Sequence, residues 1–507
     1  MDIKSSYVLR NRLFSPSDRP PNPIKGRPRR QLRAVVLCLC LFIFNVQSPA
    51  QKPPGGKDCR NLAARSTGTL VIKNISVIDG TGAPIKSGMT VVVKNGLITE
   101  IVPAKNFRPP AKAEIISGDG KYLIPGLWDM HVHLKNSTAS ALPVFIANGI
   151  TSVRDMAGGF EELSEMRRRV EAGEIAGPRI RFSGPELESP ESVARAKASG
   201  KKENFDLTRI VVAKPEDAEP AVKRLKKMGV DFIKLRTWPS PETYFAIIKA
   251  AREAGMQIVG HAPESLDPIK VAEAGQASIE HGFYPYPLSK YSEAEREEII
   301  EAFVKNRVAI VPTLVTWNER IFPLDREKEI IADKTNRIDF RRKYVAPELL
   351  EYWAFQIKDR KPLSSESLKG WTGAIDTMAA DLGVMYRKGV RIMPGTDLAG
   401  PLIFPGFSLH DELELFVAKI GMTPMETLES ATRVPAEFMG LADCLGTIEK
   451  GKIADLVLLD ADPVEDIKNT RRIAGVIRGG EYFDRAKLKK LLRETERRSK
   501  PVASKEN

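Results

Sequence analysis

Between Pro125 and about Leu445, eight short apolar runs alternate with helical stretches, and no other feature of the chain limits its fold so strongly. The runs are Leu127–His133, Ile150–Met156, Arg179–Gly184, Phe232–Leu235, Gln257–Ala262, Ala277–His281, Ala309–Leu314 and Arg391–Asp397. Helix-patterned segments separate them, among them 160–172, 217–229, 241–254 and 291–305. A strand that returns parallel to its predecessor needs a crossover of about a dozen residues or more, and a helix supplies it. This alternation predicts an α/β fold, a (β/α)8 TIM-like barrel over residues 125–445. The stretch from Thr316 to about Gly370 is rich in Trp, Tyr and charge and reads as a partly helical insert over the barrel mouth.

Strand-like texture lies on both sides of this region. Residues 68–124 contain Leu70–Ile78 and Met89–Val102, the second interrupted by a hairpin signal at Asn95-Gly96. Residues 446–484 resume the pattern with Ala454–Asp460 and Ile473–Gly480. The two segments are expected to form one small β-sandwich from both chain ends.

Composition enters through charge. Of 507 residues, 78 are Lys or Arg and 65 are Asp or Glu, a net of +13. Residues 1–33 carry nine basic and two acidic residues, a net of +7, and residues 485–507 carry nine basic and three acidic, a net of +6. The body between them is neutral, which argues against a nucleic-acid partner, since that would need basic residues clustered on the folded surface. The C-terminal tail reads as a solvated end with a short helix, Leu488, Leu491 and Leu492 on one side. At the N-terminus, arginines 29, 30 and 33 precede the uncharged run Ala34–Val46 and the small-residue site Ser48-Pro49-Ala50. That order makes residues 1–50 a secretory signal with a long basic n-region, followed by a linker at 51–67. The apolar run falls short of the ~20 residues of a membrane span. The expected location is periplasmic or secreted, with no stable span after cleavage. The mature chain would keep only Cys59 and Cys444, whose pairing the sequence leaves open.

Chemistry concentrates in five histidines. His131 and His133 alternate on one strand, so both face the same side. His261 and His281 end the fifth and sixth runs, Lys234 ends the fourth and Asp397 ends the eighth. In a (β/α)8 barrel the C-terminal strand ends form the active-site face, so these groups converge there. Imidazole and carboxylate donors suit Zn2+ or a similar divalent ion.

The chain resembles the metal-dependent amidohydrolase superfamily, and within it the imidazolonepropionase-like branch that contains prolidase-type dipeptidases. The resemblance runs over about residues 68–483 and rests on Leu123-Ile-Pro-Gly-Leu-Trp-Asp-Met-His-Val-His133, Thr151-Ser-Val-Arg-Asp155, Phe232-Ile-Lys234, Gly260-His261, Glu280-His281-Gly282 and Pro394-Gly-Thr-Asp397. It continues in Leu409-His-Asp-Glu-Leu-Glu414, Ala431-Thr432 and Gly446-Thr-Ile-Glu-Lys-Gly-Lys-Ile-Ala-Asp-Leu-Val457. It implies two divalent ions: His131, His133 and Asp397 on the more buried one, His261 and His281 on the other, and carbamylated Lys234 bridging them. A hydroxide between the cations would attack a carbonyl carbon, with Asp397 as base and then acid. The implied activity is hydrolysis of amide bonds in dipeptides or N-acyl amino acids. Alternatives are a lactonase or phosphotriesterase, a mononuclear cyclic amidohydrolase, and a non-catalytic scaffold. Arg154, Arg236, Tyr284, Tyr286 and His410 are candidates for substrate contact, each with a purely structural alternative, and Glu280 is expected to support a ligand. Assembly into a homo-oligomer is left open.

Overall fold

A computed structural model of the chain describes Cys59 and residues 68–200, 203–238, 240–282 and 286–499. The expected secretory signal at 1–50, the expected linker at 51–67 except Cys59, Tyr284 and the last residues of the tail lie outside the described residues.

Five strands come first: β1 (Thr69–Val77), β2 (Lys86–Lys94), β3 (Leu97–Pro103), β4 (Glu114–Ser117) and β5 (Tyr122–Pro125). The parallel series follows as β6 (Leu127–Val132), β7 (Ile150–Asp155), β8 (Arg179–Phe182), β9 (Glu186–Glu188), β10 (Arg209–Val211), β11 (Ile233–Leu235), β12 (Ile258–Gly260), β13 (Ser278–Glu280), β14 (Ala309–Val311) and β15 (Arg391–Ile392). The last strands are β16 (Leu456–Leu459), β17 (Ile473–Arg478) and β18 (Glu481–Asp484). Each of the eight expected runs holds a strand, and helices at Phe160–Glu171, Ala218–Met228, Pro241–Glu253 and Glu293–Lys305 lie where the pattern put them.

Strand pairing departs from expectation in two respects. The parallel strands fall into a sheet of seven, in the order β10-β9-β11-β12-β13-β14-β15, and a sheet of three, β6-β7-β8, in place of one ring of eight. At the β8–β11 seam the Asp231 N–H donates to the Phe182 carbonyl at 3.0 Å, and the Asp231 side chain accepts the Phe182 N–H at 3.0 Å. A carboxylate there does part of what a strand partner would do. At the other seam, Met130 N–H donates to Pro394 (2.9 Å), Asp397 N–H to His131 (2.8 Å) and His133 N–H to Leu398 (2.9 Å). The second departure concerns the chain ends. Their strands share one eight-stranded sheet, β18-β17-β16-β5-β1-β2-β3 with β4 on β1, and the pairing does not separate two facing layers. The N- and C-terminal parts meet where β16 runs antiparallel to β5, from Leu456 opposite Pro125 to Leu459 opposite Tyr122.

Only Gly126 separates β5 from β6, and a Cβ there would fall 2.0 Å from Thr151 Oγ1. The terminal sheet therefore abuts the parallel strands directly. The C-terminal tail is less solvated than its charge suggests. Its helix Arg485–Arg498 buries Leu488 and Thr495, packs against the helix Leu142–Ala147, and half-buries Leu491. The insert is helical, with segments Leu314–Arg320, Leu324–Ala332 and Pro347–Ile357 leading into the long Ser365–Arg387. Among the described residues no helix is long and apolar enough to cross a membrane.

Cys59 and Cys444 form a disulfide across 385 positions, with Cα atoms 5.3 Å apart. Cross-linking so long a loop restricts the unfolded chain, so Cys59→Ser with Cys444→Ala should cost about 2–4 kcal/mol of unfolding free energy. Urea denaturation with and without reductant checks this: the reduced wild type and the double variant should coincide. His410 offers a second measurement. Its ring bridges Thr470 Oγ1 (2.9 Å) and the Asn148 carbonyl (3.1 Å), and burial pulls its pKa down to about 3. An unfolded imidazole titrates near ~6.5. Between about 6.5 and 3 the unfolded chain thus holds the extra proton, and this site loses up to about 1.4 kcal/mol of stability per pH unit as pH falls. Melting temperature against pH should show a flatter acid limb for His410→Gln than for the wild type.

Candidate functional site

Past the C-terminal ends of the parallel strands, the side chains gather around Asp397. Its Oδ1 lies 3.4 Å from His131 Nε2 and 3.3 Å from His133 Nε2, and its Oδ2 lies 4.0 Å from His281 Nδ1. The His131 ring is centred 5.3 Å from that of His133 and 4.9 Å from that of His281, and His261 stands 5.0 Å from His281. Lys234 is buried at 2% exposure, and its charge acts on His131, His261 and His281. All six residues singled out as metal donors thus share one locality. His131, His133 and Asp397 by themselves form a group able to hold a metal ion.

The backbone bends to make this possible. His281 and Asp397 stand in the left-handed region, with φ of +68° and +53°. Non-glycine residues there carry strain that persists only where the surroundings hold it. Gly395 lets the last turn press onto β6, since a Cβ would lie 2.8 Å from the His131 Cβ. Asp129 ties the two segments together: it accepts the Thr396 N–H at 3.0 Å and the Thr396 hydroxyl at 2.7 Å.

Burial lowers the pKa of all four imidazoles, His281 to about 4, so each is neutral at pH 7 and keeps a lone pair. Burial works to raise the Asp397 carboxyl, but the His133 hydrogen bond and the neighbouring rings hold it well below the usual carboxylate range. Lys234 is pushed down by burial. Behind His131 lies a second set of charges. Glu280 Oε2 accepts His131 Nδ1–H at 2.8 Å, Arg154 Nη2 reaches both Glu280 oxygens at 2.8 Å, and Ser278 donates to Oε1 at 2.5 Å. Because the carboxylate can only accept, His131 carries its proton on Nδ1 and presents a bare Nε2 to Asp397.

The substrate candidates separate. Arg154 is fully buried, its remaining donors on the Met130 carbonyl (2.6 Å) and Ser278 (3.1 Å), so it belongs to the support of His131 and does not face a ligand. Tyr286 is buried and donates to the Pro263 carbonyl. His410 is used on both nitrogens away from the cluster. Arg236 remains: it follows β11 two positions after Lys234, its side chain is 26% exposed, and it contacts Glu188 at 3.2 Å and Glu186 at 3.5 Å.

Three features escaped the sequence reading. Asp129 shares the period-two face of His131 and His133, a signal that was available. Thr313, 3.1 Å from His281 Nδ1, stands near the end of the seventh expected run, Ala309–Leu314, a strand-end position that was also a readable signal. Tyr352, in the insert, is half-buried, and its hydroxyl feels the charges of Lys135, Arg236, Glu203 and Asp397.

The chain is similar to known proteins over most of its length. The amidohydrolase family profile matches residues 122–482. An ochratoxinase of Aspergillus niger is 26% identical over 459 residues, covering 80% of this chain and 85% of that protein. A prolidase-like protein of Bifidobacterium longum superposes with a TM-score of 0.63 at 25% identity, over 85% of this chain and all of the other. A Xaa-Pro dipeptidase solved with methionine in its active site shares the fold, with a TM-score of 0.61 at 23% identity over 82% of this chain and all of that one. The chain belongs to the amidohydrolase family, as a hydrolase of carbon–nitrogen bonds.

Proposed function

We propose that the chain is an exported, metal-dependent hydrolase of amide bonds acting on dipeptides or N-acyl amino acids. The observation that carries the reading is the approach of two neutral imidazoles to one ionised carboxylate, at 3.4 and 3.3 Å from Asp397 Oδ1. Among the described residues His131 Nε2, the nitrogen that faces Asp397, is buried and has no hydrogen-bond partner, an arrangement that suits a cation ligand and is costly otherwise. His131, His133 and Asp397 would hold one divalent cation, zinc being the natural choice for such donors. His261 and His281 would hold a second, and Lys234, as a carbamate, would offer one oxygen to each. The depressed pKa of Lys234 supports that role, because only a neutral amine adds to CO2.

Divalent cations in such a site supply an acidified water and a Lewis acid for the carbonyl. The chain's own residues handle orientation and the proton. Asp397 takes the proton of the attacking water and returns it to the departing nitrogen. Glu280 fixes the tautomer of His131, and Arg154 fixes Glu280. Arg236, at the mouth, is the remaining candidate for a substrate carboxylate, which its planar fork would accept bidentately. The seam hydrogen bonds support a closed barrel over 125–445, with the segments 68–124 and 446–484 as one appended β domain. The Cys59–Cys444 bridge supports an oxidising compartment, in keeping with the signal-like N-terminus.

Protein expressed with zinc and bicarbonate should carry two metals per chain and turn over members of a panel of dipeptides and N-acyl amino acids; lactones and phosphotriesters form the comparison arm. One metal per chain, with activity indifferent to Lys234→Ala, would favour the mononuclear reading. Asp397→Asn should lose about 10²–10⁴-fold in kcat while keeping most of its metal. Near-full turnover by that variant would remove Asp397 from proton transfer. Glu280→Gln should weaken metal binding about 10–100-fold, measured by competition with a chromophoric chelator, and Arg154→Met should act in the same direction.

A further inference from the structure

At the strand ends opposite the candidate metal centre, a cavity of about 210 Å³ opens to solvent. It is lined by Phe303, Val304, Arg307, Val308, Gly389 and Arg391. These residues come from the end of the helix Glu293–Lys305, the approach to β14 and the start of β15. Thr313 and Asp397, past the far ends of the same two strands, belong to the histidine cluster.

Two guanidiniums meet at this cavity without a carboxylate between them. Arg391 is half-buried; its Nη2 donates to the Arg307 carbonyl, and its guanidinium lies 5.9 Å from the centre of the Phe438 ring. Arg307 is exposed, and its side chain makes no hydrogen bond among the described residues. The acid that acts on Arg391 is Glu437, which is itself bonded to Arg433 at 2.8 Å. Burial and repulsion by Arg307 outweigh it and bring the Arg391 pKa down to about 10, so Arg391 stays charged at neutral pH. The backbone adds a second sign. Arg307 has a φ of +56° in the place just past a helix end where glycine is the usual residue. A side chain kept there costs strain that a glycine would avoid, and strain of this kind gathers at functional positions. The rest of the lining is apolar: Phe303 and Val308 are buried, and Val304 is 40% exposed.

We propose that this cavity binds a small organic carboxylate with an apolar body, such as an aromatic acid. The planar forks of Arg391 and Arg307 take the carboxylate oxygens, and Phe303, Val304 and Val308 receive the apolar part. Such a combination, apolar walls with a few polar groups that fix orientation, is the usual make-up of a small-molecule site. The ligand would supply the counter-charge that the two arginines lack.

Isothermal titration of the metal-loaded protein with benzoate tests the proposal. Carboxylates also reach metal ions, so the site is read as the difference between the wild type and variants of the cavity. Benzoate should fill one saturable site in the wild type that Arg391→Met and Arg307→Gly each weaken about tenfold or more. Arg307→Gly guards against misfolding, because it removes a side chain without ties and relieves the backbone; its melting temperature without ligand should equal or exceed that of the wild type. Val304→Glu, which sets a carboxylate beside the guanidiniums, should abolish the site. Inorganic phosphate probes the need for an apolar body and benzyl alcohol the need for charge, and both should bind more weakly than benzoate. Equal benzoate heats in the wild type and all three variants would overturn the proposal. So would phosphate or benzyl alcohol matching benzoate with the same dependence on Arg391, since the carboxylate and the apolar body would then not act together.

Discussion

Arg154 is sealed among the parallel strands, and its charge is tolerable there only because Glu280 receives it on both oxygens at 2.8 Å. Removing either partner would leave the other as a buried lone charge, a loss of about 3–5 kcal/mol in comparable pairs. The pair also joins three strands. Arg154 stands on β7, Glu280 on β13, and the Met130 carbonyl that takes Arg154 Nε belongs to β6. His131 is fixed from the same point, through its Nδ1. The placement of a candidate metal donor and the cohesion of the strand layer therefore rest on one ion pair.

A second layer of restraint comes from outside the strands. The insert leans on the turn that carries Asp397: the Thr316 hydroxyl donates to the Thr396 carbonyl at 2.9 Å, and Gln356 Nε2 to the Ala399 carbonyl at 3.0 Å. The insert is itself anchored by Glu412, whose two oxygens accept the Leu314 and Val315 N–H groups at 3.0 and 2.7 Å. The left-handed backbone at Asp397 is thus held from both sides, by Asp129 from within and by the insert from without. Strained ligands framed in this way are pre-organised, and a metal would gain affinity from not having to order them.

How much of this was legible in the sequence depended on range. The strands and helices of 125–445 were readable because each is a local pattern of apolar spacing. Four histidines, Lys234 and Asp397 were readable because strand ends in a parallel α/β chain share a face. The long-range closures were not. Asp231 completes the β8–β11 seam with its side chain, and β9 and β10 add an edge within what read as one crossover; neither has a periodic signature. Arg154 and Tyr286 show the limit for side chains: an arginine beside a metal motif reads as a ligand binder, and only its burial reveals that its partners lie inside the protein. Tyr352 comes from an insert whose packing no local pattern encodes.

The disulfide joins the first described residue to the end of the parallel region, so that covalent bonds alone make a ring of residues 59–444. Every candidate metal donor lies inside that ring. A protease that cuts once in the exposed start of the helix Ser365–Arg387 would open the ring without dividing the molecule. Such a nicked protein would keep its mass on a non-reducing gel and part into two fragments only with a reductant. The bridge then acts as a second backbone, holding the site in one piece after the first has been broken.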